Sequence, residues 1–558
     1  MSVVLNVAEK PSVAKAVASI LSNNQMNRLH DSKGTLAFDF QYQHPQFGAC
    51  RMIMTAVAGH LRELEFEPRV SKWSSVDPVE LFTAQVVSNV PDDKRKLQQN
   101  LQQYSRRSTH LILWLDCDRE GEKIAFDVLE ECRAVKPNLQ VLRARFSALT
   151  KQEVTRAMAN LVQPDRQQND AVGARQEIDL RIGSAFTRFQ TMFLQNRVPQ
   201  LAAYTQGQKS STVSYGPCLM PTLGFVVDRS MKRQLHVSER FWSIALSASF
   251  GGDTCADFKW SRGHLFDKGV VTAIHSILVD VEGDSLGDKE VHIDSVVDKE
   301  STWRRPVPLH TVTLQKECAR YLRLSAKQTM TLAEGLYQKG FLSYPRTETT
   351  VYKRSEPLQS RVAALCGLEG DLGQYAVGLS QQGRFQWPRS GGSDDGAHPP
   401  IHPLKSATRQ QIGVAVQGRA WEVFELVTRH FLASCGPDAR VANTRVECQL
   451  RGERFFATGR RVLDRGYLKV WRYSQVSGRT LPDVLREGAH CVPAGVRVTE
   501  GATQAPLLLK EQQLIALMDA NGIGTDATIA QHIENIQKKG FCTKDAQGYL
   551  APTMLGQV

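Results

Sequence analysis

The sequence predicts a multidomain protein of mixed α/β and α+β class, and three observations carry that reading. At 558 residues the chain is too long for one hydrophobic core. Two short apolar runs, residues 3–8 and 110–115, each end in a charged cluster, as buried strands do in an open α/β sheet; the first also leads into apolar residues at helical spacing. Segments 241–250, 291–297, 441–450 and 454–458 read as further strands, so a β-rich region is expected among helical ones.

Composition narrows the class. Hydrophobic content of 42% and charged content of 23% are those of a folded globular protein and exclude wholesale disorder. Lys+Arg 69 against Asp+Glu 57 gives +12, which points towards a polyanionic partner, although a basic protein without one stays open at this stage. The 11 cysteines, from Cys50 to Cys542, form no C-x-x-C pair, so neither a zinc ribbon nor a disulfide framework is expected. No basic leader precedes the first strand and no apolar run reaches about 18 residues, so a soluble intracellular protein is expected.

The first run ends in Glu9, Lys10, Pro11 and Ser12, with Ser12 a candidate cap for the helix carrying Ala14, Val17, Ala18 and Leu21. The second ends in Asp116-Cys-Asp-Arg-Glu120. Three carboxylates at alternate positions, Asp116, Asp118 and Glu120, repel one another in a partly dry site unless a cation neutralises them, and hard oxygen donors suit Mg²⁺. A solvated acidic turn favoured by the helix dipole is the alternative. Glu9 at one strand end and Asp-x-Asp-x-Glu at another resemble the Toprim domain of topoisomerases, primases and some nucleases.

Further on, residues 169–196 predict a long amphipathic helix with Ile178, Ile182, Ala185, Phe189 and Phe193 on one face. Arg181 and Arg188, seven apart, share another face and could track phosphates; a salt-bridged surface face is the other reading. Residues 214–224 are dense in turn formers and mark a boundary. Ser325-Ala-Lys-Gln328 is a capping box opening a helix that Gly340 ends, and the chain then delivers Tyr344. Pro345 biases Tyr344 towards an extended conformation, which holds the phenol on a rigid turn. A phenolate at pH 7 costs about 4 kcal/mol, and Arg346 is a permanent cation whose forked donors suit phosphate. Taken alone, Tyr344 is more often a hydrogen-bonded core tyrosine.

The stretch Ser343-Tyr-Pro-Arg-Thr-Glu-Thr349, together with the two Toprim halves, resembles the type IA DNA topoisomerases, and within them the topoisomerase III family of eukaryotic alpha type. Residues 174–183, 214–217, 221–225, 397–403 and 522–528 support this in the family's order. The resemblance implies a Rossmann-like Toprim domain (1–165), a helical base (166–213 and 485–558), a β-rich arch (214–290 and 404–484) and a tyrosine-bearing lid (291–403), winged-helix-like in its helical parts and arranged as a toroid. It implies Tyr344 as nucleophile, Arg346 and Lys10 as phosphate stabilisers, and Glu9 as general acid. Mg²⁺ would be held by Glu9, Asp116, Asp118 and Glu120, and His398 would contact the DNA backbone, with weaker support for His402. Single-stranded and negatively supercoiled DNA are the implied substrates, without ATP; a RecQ-type helicase and an OB-fold protein are the implied partners of a monomeric core in the nucleus, with a mitochondrial pool open. Leu219-Met220 departs from the family pattern, residues 204–211 read as a polar insertion, and residue 558 falls inside the base as the family draws it. Another Toprim enzyme, a primase or nuclease, and an inactive DNA-binding scaffold are the competing readings.

Overall fold

The computed structural model describes residues 2–30, 36–73, 75–197, 212–250, 255–279, 290–474, 476, 480–482, 484–526 and 528–557. The expected insertion at 204–211 lies outside them. The first unit is a six-stranded sheet in the order β2-β3-β4-β1-β7-β8, with β1 (Ser2–Ala8), β2 (Asn27–His30), β3 (Leu36–His44), β4 (Gly48–Ala56), β7 (His110–Trp114) and β8 (Gln140–Arg143); β5 (Glu63–Phe66) and β6 (Val86–Asn89) form a separate pair. β1 runs parallel to both β4 and β7, and Ala8 aligns with Trp114. Helices cover both sheet faces, which is why β1 and β7 read as continuous apolar runs. Val4 and Ala8 enter one core with Met52 and Trp114, whereas Leu5 and Val7 enter another with Leu111 and Ile124.

A closed six-stranded barrel follows, ordered β10-β13-β12-β11-β14-β9. Its strands are β9 (Arg240–Ser249), β10 (Cys255–Trp260), β11 (Val291–Trp303), β12 (Ala439–Leu450), β13 (Glu453–Asp464) and β14 (His490–Ala502). Expected boundaries therefore move. β11, placed at the start of the lid, pairs with β12 from His292–Gln449 to Trp303–Ala439 and belongs to the barrel. β14, placed in the base, pairs with β9 from Val492–Ser249 to Ala502–Arg240. Conversely, the helix Ala420–Ser434, expected within the arch, packs Phe424, Val427 and Phe431 into the lid core with Leu336, Phe341 and Leu342. Alternation announces a strand but not the sheet that receives it, and closing this barrel requires strands from widely separated segments.

The base gathers α5 (Arg166–Arg197) and the helix Leu219–Gln234, which falls within the expected arch but packs Leu219, Leu223 and Val226 against Ile515, Met518, Ile529 and Ile533. The expected apolar face of α5 is only partly buried: Ala185 is covered, while Ile178, Phe189 and Phe193 are exposed. Two helices end alike. Gly340 and Gly540 take φ of +68° and +73°, with Phe341 N–H donating to Leu336 and Phe541 N–H to Ile536, so the repeated Lys-Gly-Phe ending is a repeated left-handed helix stop. The 11 cysteines are free thiols. Among the described residues no helix is long and apolar enough to cross a membrane.

Candidate active site

Register between β1 and β7 brings Glu9, Lys10 and Asp116 out of adjacent strand ends. Asp118 adopts extended φ/ψ and caps α3 (Arg119–Val135): its Oδ1 accepts from Gly121 N–H at 2.7 Å. Only glycine fits at 121, because a Cβ there would lie 2.0 Å from the Asp116 carbonyl oxygen. Arg143, fully buried, donates to Glu122 at 3.0 Å and to the Asp116 carbonyl at 2.8 Å, fixing the acidic turn from beneath.

Across from these carboxylates stands the end of the helix Ala326–Gln338, opened by the expected capping box of Ser325 and Gln328. Tyr344 is 2% exposed, and its hydroxyl donates to Asp118 Oδ2 at 2.6 Å. Its own N–H donates to the Ser147 carbonyl at 3.0 Å. One residue before the helix end, Tyr337 donates to Asp116 Oδ1 at 3.3 Å, and its ring meets Tyr344 edge-on at 5.2 Å. Gln338 accepts from Ser12 at 2.8 Å. Ser12 therefore ties the first domain to the lid; the expected cap role fails because Lys10 is the N-cap and Pro11 the first helical residue.

Lys10 Nζ lies 3.5 Å from Asp116 and 3.6 Å from Glu9. Arg346 is held by Glu334, whose Oε1 accepts from Nε at 3.0 Å and from a terminal nitrogen at 2.5 Å. His398 stacks obliquely 4.4 Å from Tyr344, and its Nδ1 lies 3.0 Å from the Ser147 hydroxyl. His402 is structural: its Nδ1 meets the Pro400 carbonyl at 2.7 Å and its N–H the Ser343 hydroxyl at 3.0 Å.

Electrostatics follow from burial. Glu9 is raised to about 7, by burial first and then by the Asp116 charge, so near neutral pH it can both give and take a proton. Burial also raises Asp116, with Lys10 opposing. Tyr344 is held well above 10 by burial and by Asp116 and Asp118, against Arg346, so its phenol is firmly protonated in this closed state. Burial lowers His398 to about 4, which keeps the ring neutral.

Two groups of predicted residues depart from expectation. Glu120 turns away from Asp116 and Asp118, accepting from Arg175 at 2.5 Å and lying 3.1 Å from His60 Nε2. Among the described residues no three carboxylate, imidazole or thiol groups are arranged as a metal site. Glu9, Asp116 and Asp118 nevertheless form the hard-oxygen donor set that suits Mg²⁺, and the strain of their burial together shows in the raised Glu9 and Asp116. Arg181 and Arg188 do share a face, but it is packed. Arg181 donates to the Leu81, Phe82 and Ala84 carbonyls within 3.1 Å and pairs with Glu177, and Arg188 donates to the Ser71 and Lys72 carbonyls at 3.3 Å. Both guanidiniums are struts between α5 and the first domain, so the phosphate-tracking expectation fails for them. Sequence reasoning missed Glu334, Tyr337, Ser147, Arg143 and His60; helical spacing of 334 and 337 before the tyrosine turn was the one signal that could have found the first two.

A mixed sheet whose adjacent parallel strands β1 and β7 lead into acidic residues, closed by a helical unit that delivers a tyrosine onto those carboxylates, defines a Toprim protein of the DNA topoisomerase class. The Toprim domain profile matches residues 4–149, and the DNA topoisomerase profile matches residues 163–558. DNA topoisomerase 3-alpha of Arabidopsis thaliana is 42% identical over 99% of this chain, and that of Homo sapiens 40% over 99%. DNA topoisomerase 3 of Saccharomyces cerevisiae is 39% identical, the match covering 99% of this chain and 88% of the yeast protein. The chain belongs to the DNA topoisomerase 3 family. It spans 58% of the Arabidopsis relative and 53% of the human one. Full-length topoisomerase I from Thermotoga maritima matches in fold, with a TM-score of 0.70 over 99% of this chain and 81% of that one at 23% identity.

Proposed function

We propose that this chain carries out the type IA topoisomerase reaction: ATP-independent cleavage and religation of one DNA strand through a 5′-phosphotyrosyl link at Tyr344, relaxing negatively supercoiled DNA and unlinking recombination or replication intermediates. The observation that carries it is the Tyr344 hydroxyl 2.6 Å from Asp118, with Glu9 emerging from the neighbouring strand end.

The Tyr344 oxygen attacks phosphorus, its proton passing to Asp118 Oδ2, which already accepts its hydrogen bond. The bond from phosphorus to the 3′ oxygen breaks, and Glu9, protonated in part near pH 7, supplies that oxygen with a proton. Religation runs the same transfers backwards, and the phosphotyrosine keeps the energy of the phosphodiester, so no nucleotide is consumed. Lys10 and Arg346 supply positive charge beside the developing anion, with Glu334 aiming Arg346. Mg²⁺ held by Glu9, Asp116 and Asp118, and by Glu120 if it leaves its clasp, would offset the charge of the carboxylates and the phosphate. His398 Nε2 has no hydrogen-bond partner among the described residues and is available to a phosphate oxygen.

Tyr344 is sealed between lid and first domain, so a DNA strand reaches it only when the lid lifts. Parting the lid from the sheet would also separate Tyr344 from Glu9, which opens a gap between the two ends of a cut strand. Single-strand preference follows because a duplex would first have to unpair. Nuclear location, a mitochondrial pool, and association with a RecQ-type helicase and an OB-fold protein belong to this proposal on family likeness alone.

Wild type given Mg²⁺ and single-stranded DNA should form a denaturant-resistant adduct, and Tyr344→Phe should form none. Cleavage by Tyr344→Phe would favour a Toprim nuclease instead. A wild type that binds DNA without ever forming the adduct would leave only the scaffold reading.

A further inference from the structure

Ser147 lies just beyond β8, in the first domain, yet its carbonyl and its hydroxyl both serve the lid. Its carbonyl accepts the N–H of Tyr344 at 3.0 Å, and its hydroxyl sits 3.0 Å from Nδ1 of His398. His398 is 5% exposed, and its other nitrogen, Nε2, is buried beside the Tyr344 ring with no hydrogen-bond partner among the described residues, the Cys117 backbone lying nearby.

A neutral imidazole carries one hydrogen, on one nitrogen or the other, and the partner of the first nitrogen decides what the second can do. Burial of the ring, which is 5% exposed, favours the neutral form of His398. The phosphate that Tyr344 attacks offers only acceptors, so His398 can bind it only with the hydrogen on Nε2. That leaves Nδ1 bare and in need of a donor, and the Ser147 hydroxyl is the donor within reach.

We infer that Ser147 is a positioning residue of the cleavage reaction: by donating its hydroxyl to His398 Nδ1, it keeps the hydrogen on Nε2, aimed at the phosphate. The contact spans two domains. It exists only while the lid is closed, so lid closure both seats the nucleophile on the Ser147 carbonyl and selects the useful form of the histidine. An open lid releases both at once. This rests on the topoisomerase reading for its phosphate, and on the geometry alone for the Ser147–His398 pair.

Threonine and valine have nearly the same shape, so Ser147→Thr and Ser147→Val separate the hydroxyl from the space it fills. Adduct formation would be followed under single-turnover conditions with single-stranded DNA. Ser147→Thr should cleave within about threefold of wild type, and Ser147→Val about 10–100-fold more slowly at saturating DNA, as loss of an orienting partner does elsewhere. In protein labelled with ¹⁵N-histidine, the His398 signal, assigned by its loss in His398→Gln, should show an unprotonated Nδ1 in wild type and in Ser147→Thr, and a mixture in Ser147→Val. Equal rates for the threonine and valine variants, or a hydrogen on Nδ1 in wild type, would overturn the inference. Should wild type form no adduct at all, the topoisomerase reading fails, and the ¹⁵N spectra still decide the Ser147–His398 pair.

Discussion

The two sides of the acidic turn behave differently. On the lid side, Asp116 and Asp118 receive two phenols, Tyr337 and Tyr344, in a site where the carboxylates gather within a dry interface. On the base side, Glu120 lies between His60 and Arg175 in a half-exposed cluster whose charges are matched. One motif thus carries an excess of negative charge towards Tyr344 and matched charge towards the base. Excess charge is poised for chemistry; matched charge holds domains together. Substitutions should divide accordingly, costing activity with little stability on the first side and stability with less activity on the second.

The largest effect is expected at Asp118. Asparagine caps a helix as well as aspartate, so Asp118→Asn should leave α3 and the melting temperature nearly unchanged. It removes the acceptor of the Tyr344 proton, and cleavage should fall by about 10²–10⁴-fold. A melting temperature that drops along with the rate would erase the distinction between the two sides.

Glu9 comes next. Because its folded value of about 7 lies above the ordinary 4.5, the protonated acid is favoured by folding. Its contribution to stability is present below pH 4.5 and lost as pH rises through about 7. Above that point the acid form also disappears, so adduct formation should decline with rising pH. Glu9→Gln should cleave slowly and without that limb, while melting higher than wild type at pH 8 because a buried charge is gone. A pH limb that survives in Glu9→Gln would assign the proton to another group.

These expectations rest on positions that the sequence showed unevenly. Glu9, Asp116 and Tyr344 were legible because a strand end, or a helix stop followed by proline, fixes where a side chain emerges. Ser147, Glu334 and His60 were not, because their neighbours in sequence are ordinary and their roles come from residues 251, 12 and 60 positions away. Arg181 and Arg188 show the converse failure. Helical spacing rightly placed them on one face but could not tell that the 71–84 segment covers it. The barrel was legible as strands and illegible as a barrel, since β11 and β14 find their partners only in three dimensions.

On the matched side, His60 is raised to about 9: burial works against its charge, and Asp127 and Glu120 outweigh it. A raised value means that the clasp contributes fully below pH 6.5 and is lost as pH rises through about 9. His60→Ala should therefore destabilise by about 1–2 kcal/mol at pH 6, allowing for solvent screening, and by clearly less at pH 10. Equal losses at both pH values would mean that packing, and not charge, holds the clasp.

The smallest effect, and the one that sharpens the comparison most, is expected at Arg175. Its side chain is 47% exposed, so the ion pair with Glu120 should contribute only about 0.5 kcal/mol, and Arg175→Gln should barely move the melting temperature. The same change loosens Glu120 from the base while His60 still holds it in part. If Glu120 joins Asp116 and Asp118 around Mg²⁺ during the reaction, it must first leave Arg175, and removing that competitor should lower the Mg²⁺ concentration for half-maximal cleavage about twofold. An unchanged midpoint would confine Glu120 to the clasp and leave the metal to Glu9 and the two aspartates, making the division across the acidic turn complete.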